Sequence, residues 1–244
     1  MKRVKLIVAY DGTNYHGWQV QKNALSVQET LQDAIEKLYG SRLDVKGCSR
    51  TDSGVHANMY CVSYNAPFYA GEYHTISAIN TFLPSDIRAF ACREVEDDFH
   101  ARYLAKGKEY VYLVYNEKYQ NPFFSRYSYY FRYDIDVDLL NEAAKFFIGT
   151  HDFAAFCSAY SDAEDTVRTI YDLKVERDGS IVKFIISGDG FLYNMVRIIV
   201  GTLLMVSQGK IAKEQIPLII ESKDRKKAGR TAPANGLFLN KVFY

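Results

Sequence analysis

A chain of 244 residues with 48% apolar side chains is too hydrophobic to stay disordered, and it is long enough for one large or two smaller domains. A net charge of +1 excludes no class of partner, because a neutral protein can still gather its basic residues on one nucleic-acid-binding face. The four cysteines, Cys48, Cys61, Cys92 and Cys157, form no CxxC pair and no Cys/His ligand spacing, which argues against a metal site and for free thiols in a reducing compartment.

The opening run MKRVKLIVAYDG is too short an apolar stretch for a signal peptide and lacks a cleavage region, so the expected location is cytoplasmic. Val4, Leu6 and Val8 alternate, which predicts a strand over 3–10 ending in the turn Asp11-Gly12. Ser26-Val27-Gln28-Glu29 is a capping box, and Val27, Leu31, Ala34, Ile35 and Leu38 then share one helical face before Gly40 ends it. Strands are expected at 43–49 and 57–64, a helix carrying Ile76, Ile79 and Phe82 up to Pro84, and a strand at 87–95.

A similar mixture follows. Residues 109–115 read as a strand. Asp136 caps a helix with Val137, Leu140, Ala144 and Phe147 inward and Gly149 after it. Strands at 166–177 and 180–187 flank the hairpin signal Asp178-Gly179. A long apolar helix is expected from about Phe191 to Ser207, and a last strand at 236–243. The 191–207 stretch is too short for a membrane span and is interrupted by Asn194 and Arg197. A guanidinium in such a helix must find a carboxylate or reach water, and spacing alone does not choose between these. The reading is α+β: two halves, 1–104 and 105–244, with a mainly antiparallel sheet and helices packed outside.

The stretch SRTDSGVHA, Ser49 to Ala57, crowds a cation, a carboxylate, two inner hydroxyls and an imidazole between two strands. Taken alone, Asp-Ser-Gly is more often a turn than a site, since Asp and Ser bond nearby backbone and Gly accepts positive φ. The 20 tyrosines, against a single Trp, suit base stacking and equally suit a tyrosine-rich core.

Four further stretches change the weight of that loop: YDGTNYHGWQ (10–19), DFHARYLAKGKEYVY (98–112), FLYNMVRIIVGTL (191–203) and AGRTAPANGLFL (228–239). In this order, with SRTDSGVHA, they resemble the TruA family of tRNA pseudouridine synthases from near residue 4 to the C-terminus. The resemblance implies the pseudouridine synthase fold and a homodimer. The implied activity is isomerisation of uridine to pseudouridine at positions 38 to 40 of the tRNA anticodon arm, without cofactor or metal.

Carried over residue by residue, Asp52 matches the catalytic aspartate and Arg50 the arginine that occupies the space left by the flipped base. Tyr110 matches the tyrosine that stacks on the uracil, and Arg197 the arginine that pairs with the aspartate. The aspartate can act as a nucleophile at C1′ or as a base at C2′; both need an ionised carboxylate, which a paired arginine favours. Thr51, Ser53 and His56 are expected to hold the loop rather than do chemistry.

Two departures stand out: Ser49 where the family usually has Gly, and Met59-Tyr60 where it has Gly-Gln or Asp-Gln beyond GVHA. They leave open a paralogue that modifies a different RNA. Basic residues cluster at Lys2, Arg3 and Lys5, at Arg102, Lys106 and Lys108, and at Lys223, Arg225, Lys226, Lys227 and Arg230, as an RNA-binding groove would need. A non-catalytic RNA-binding or RNA-folding protein on the same scaffold is the alternative reading. A hydrolase built on Asp52 and His56 lacks a second carboxylate, a metal set or a phosphate loop.

Overall fold

The computed structural model describes residues 1–158 and 164–244. It divides into two compact units, Met1–Lys106 with Phe238–Tyr244, and Gly107–Leu237. The architecture is α+β and largely antiparallel, as expected.

In the first unit, β1 (Lys2–Tyr10) lies between β4 (Ile87–Glu94) and β3 (His56–Ala66), antiparallel to both, and β2 (Lys46–Gly47) pairs β3. Val4, Leu6, Val8 and Tyr10 are buried because alternate side chains of a strand share one face. Helix α1 (Val27–Tyr39) starts where Ser26 Oγ accepts the Glu29 N–H at 3.2 Å and stops at Gly40 in the left-handed region. Helix α2 (Glu72–Phe82) packs on β4 through Asn80, whose amide donates to the Ala89 carbonyl at 2.8 Å and accepts its N–H at 2.9 Å. Its buried residues are Thr75 and Ile79, while Phe82 is exposed. From Phe238 onward β10 (Leu237–Phe243) belongs to this unit, with Phe238 opposite His56 and Leu239 opposite Ala57 in a parallel pair.

In the second unit the strand order is β5 (Gly107–Tyr115), β9 (Ile181–Gly188), β8 (Val167–Asp178), β7 (Gly149–Asp152), each antiparallel to the next, with β6 (Tyr129–Tyr130) parallel to β5. Asp178 pairs with Ile181, so the hairpin loop is Gly179-Ser180 rather than Asp178-Gly179. Helix α3 (Val137–Ala144) is capped by Asp136 as expected and packs on β8. It uses the same device as α2: Asn141 donates to the Val175 carbonyl and accepts its N–H, both at 2.9 Å. Each asparagine thus pairs with strand backbone as another strand would.

Two expectations about helices change. Helix α4 spans Met195–Ser207, not Phe191–Ser207, because Asn194 sits at φ 61° and breaks the helical path. The sequence reading also omitted α5 (Gln215–Ser222), a short helix that buries Ile216, Ile219 and Ile220. Among the described residues no helix is long and apolar enough to cross a membrane.

Candidate active site

The loop 49–57 is built against the segment 10–18, and both belong to the first unit. Thr51 is buried; its hydroxyl shares a hydrogen bond with the Tyr10 hydroxyl at 2.8 Å, and its carbonyl accepts the Trp18 N–H at 3.1 Å. Beyond Asp52, Ser53 Oγ and the Gly54 N–H both donate to the Tyr15 carbonyl, at 3.3 and 3.2 Å. The Val55 N–H closes a turn onto the Asp52 carbonyl at 3.1 Å. The two neighbours of Asp52 are therefore pinned, so its backbone position is set before its carboxylate makes any contact.

Gly12 lets the two segments meet. A Cβ there would lie inside the Val55 carbonyl, so no other residue fits without moving the loop. Its N–H donates to His56 Nδ1 at 3.1 Å, the same nitrogen lies 3.1 Å from Asp11 Oδ1, and the imidazole stacks on Phe238 at 4.7 Å. His56 is 1% exposed, in keeping with a holding role for it and for Thr51. Asp52 is partly exposed and Arg50 is exposed.

The departures from the family pattern have a structural account. Tyr60 is wholly buried, stacks on Trp18 at 4.2 Å, and its hydroxyl donates to the Ser49 carbonyl, which fixes the first stem of the loop. Met59 points to solvent. Ser49 has no positive φ, so glycine is not needed there. Tyr15 is held by Asp86 at 2.7 Å; burial first, then that carboxylate, pushes its hydroxyl pKa up, so it stays neutral.

Tyr110 and Arg197 belong to the second unit. Tyr110, on β5, is 6% exposed and meets Phe191 edge-on at 5.2 Å. Tyr112 lies on the same face; burial raises its pKa, and the charge of Arg197 opposes that rise. Arg197 stands in the first turn of α4 and is partly buried. Its Nε donates to the Ala232 carbonyl at 2.7 Å and a terminal nitrogen donates to Asn194 Oδ1 at 2.6 Å, while its own carbonyl accepts the Ala232 N–H at 3.0 Å. A guanidinium near a helix N-terminus is disfavoured by the helix dipole, so these oriented oxygens matter for its placement.

Sequence reasoning missed Asn194 and the 228–232 segment as parts of this arrangement. The signal for the first was an asparagine directly before an apolar helix, a residue type that tolerates the left-handed region.

Several cations of the expected basic clusters have partners within the protein. Lys2 pairs with Glu94 at 2.7 Å, Lys223 with Asp152 at 2.7 Å, and Lys5 lies 4.0 Å over the Tyr244 ring. Arg102, Lys226, Lys227 and Arg230 are exposed.

Residues 6–104 and 143–244 match the family model described as tRNA pseudouridine synthase. The chain is 52% identical to the tRNA pseudouridine synthase A of Acetivibrio thermocellus and 46% identical to that of a Thermoanaerobacter species, each alignment covering 100% of both chains. Among solved structures it is similar, at 14% identity and a TM-score of 0.40, to a chain of a Cbf5-Nop10-Gar1 complex, covering 96% of this chain and 57% of that one.

Proposed function

The chain belongs to the tRNA pseudouridine synthase family, and on that footing we propose that Asp52 is its catalytic carboxylate and the uridines of the anticodon arm, positions 38 to 40, its targets. The protein isomerises uridine to pseudouridine in tRNA. The N1–C1′ bond breaks, the uracil turns, C5 bonds to C1′, and the proton lost from C5 is balanced by one gained at N1. Asp52 attacks C1′ or takes the C2′ proton, and no cofactor is needed for either.

Arg50 fills the gap left when the target base leaves its stack, which lowers the cost of flipping. Tyr110 offers a flat ring to the detached uracil. Arg197 is the cation that keeps the Asp52 carboxylate ionised. The protein works as a homodimer in the cytoplasm, a compartment that suits four free, buried cysteines.

The observation that carries the assignment of Asp52 is the asymmetry of its loop. Thr51 and His56 are buried and engaged in holding the fold, whereas Asp52 is partly exposed between two pinned neighbours. The test uses tRNA transcripts with single uridines at each of the three positions. Asp52→Asn is expected to fold and bind tRNA while forming pseudouridine about a thousandfold more slowly or worse. Turnover within about tenfold of the wild type would rule out an essential role.

A further inference from the structure

The guanidinium of Arg225 turns inward. One nitrogen donates to the Gly229 carbonyl at 2.9 Å and reaches the Ala228 carbonyl at 3.5 Å; the other donates to Thr231 Oγ1 at 3.0 Å. All three acceptors are neutral and all lie in one stretch, 228–231. Burial lowers the pKa of this arginine, as expected for a cation drawn from water without a carboxylate. The turn before it is self-bonded: Lys223 ends α5 at φ 54°, and the Asp224 side chain accepts the Lys226 N–H at 2.9 Å.

The stretch that Arg225 holds is the one that holds Arg197. It crosses α4 at closest approach, where a Cβ on Gly201 would lie inside the Arg230 carbonyl. The Gly229 N–H donates to Thr202 Oγ1 at 2.8 Å, so the near end is tied to the helix. At the far end, Ala232 exchanges two bonds with Arg197, one from the side chain and one along the backbone. Between these ties lie Arg230 and Thr231, and the fork of Arg225 spans Gly229 and Thr231.

We infer that Arg225 is a positioning residue for the isomerisation: it fixes the 228–232 stretch so that the Ala232 carbonyl aims the Arg197 guanidinium. The inference rests on the role proposed for Arg197. It also takes Arg225 out of the RNA-binding clusters that its sequence neighbourhood suggested. A lysine could not replace it, because one ammonium cannot span Gly229 O and Thr231 Oγ1 as a planar fork does.

A double-mutant cycle between Arg225 and Arg197 tests this. Its readouts are the single-turnover rate at saturating enzyme, the tRNA Kd with its salt dependence, and thermal unfolding. Arg225→Gln is expected to slow the single-turnover rate about ten- to a hundredfold, with Kd and its salt slope unchanged. Arg225→Lys is expected to restore little. Adding Arg225→Gln to Arg197→Lys should slow the reaction no further than Arg197→Lys alone, within about threefold. Ile220→Val, a core change in the same unit, controls for lost stability and is expected to keep the full rate at saturation. If Arg225→Gln does not fold, Thr231→Val, which removes one tooth of the fork, takes its place in the cycle.

Effects that multiply would overturn the inference, as would a weaker Kd with a shallower salt slope at an unchanged rate, which would mark Arg225 as a phosphate contact. An Arg197→Lys variant at the wild-type rate would instead overturn the role proposed for Arg197, and the inference with it.

Discussion

Tyr60 shows how one side chain can serve core packing and loop geometry together. Its ring fills the core against Trp18, and its hydroxyl serves both backbone groups of Ser49, accepting the N–H at 3.4 Å and donating to the carbonyl. Aromatic packing and loop geometry are thus separable there. Tyr60→Phe should keep the stack and lose only the hydroxyl, costing about 1–2 kcal/mol by urea unfolding. The single-turnover rate should fall as well, because Ser49 leads into Arg50 and Asp52. An unchanged rate with lowered stability would show that the loop stem does not set the carboxylate. In the sequence this tyrosine was legible only as a departure, since a hydroxyl reaching back eleven positions leaves no periodic trace.

At the scale of elements, the start of α4 places Arg197, the cation proposed to keep Asp52 ionised. The sequence pattern extended this helix over Phe191–Tyr193 because apolar residues continue without a break. What stops it is Asn194 in the left-handed region, with its amide donating to Ser158 Oγ at 2.9 Å and its carbonyl oxygen accepting from Arg197. Backbone conformation and side-chain contact can be pulled apart. Asn194→Gly should leave stability within about 1 kcal/mol, because glycine takes positive φ freely, yet lower the single-turnover rate through the lost contact to Arg197. Asn194→Ala should cost roughly 1–2 kcal/mol more, since its Cβ opposes the left-handed conformation. Equal stabilities of the two variants would mean that φ 61° is not maintained in solution.

For the whole molecule, the order of the chain and the grouping of its parts differ. Residues from Phe238 to Tyr244 return to the first unit after the chain has built the second. There Phe238 stacks on His56, the Phe243 carbonyl accepts the Lys106 N–H at 2.8 Å, and the Tyr244 hydroxyl donates to the Ala101 carbonyl at 2.7 Å. The loop 49–57 therefore leans on β10 through the Phe238 ring. Ending the chain at Leu237 should expose 95–106 to limited proteolysis and abolish pseudouridine formation, while the strands of the second unit keep their protection from hydrogen exchange. A truncated chain whose 95–106 segment resists protease would remove the support assigned to β10. The expected halves, 1–104 and 105–244, kept this strand with the second half because composition carries no mark of a chain that returns.

By itself the sequence determined the α+β class, most of the strands, the caps of α1 and α3 and, through five ordered motifs, the family. The class, the strands and the caps depend on local physics: alternation within a strand, side-chain oxygens at helix starts, turn chemistry over a few residues; the family rests on resemblance alone. Tertiary structure decided where those signals had to give way. It shortened the strand expected at 43–49 to Lys46–Gly47, set the break at Asn194, and supplied the partners, Tyr10 and Gly12, through which Thr51 and His56 hold the loop as expected. It also turned Arg225 inward, away from the charge cluster to which its neighbours assign it. The first three rest on contacts between residues distant in sequence or on one backbone dihedral, and the last on a side-chain fork that closes onto the stretch just beyond it, at Gly229 and Thr231. Such features follow from how packed segments meet and how the backbone turns, rather than from the pattern of residue types along the chain.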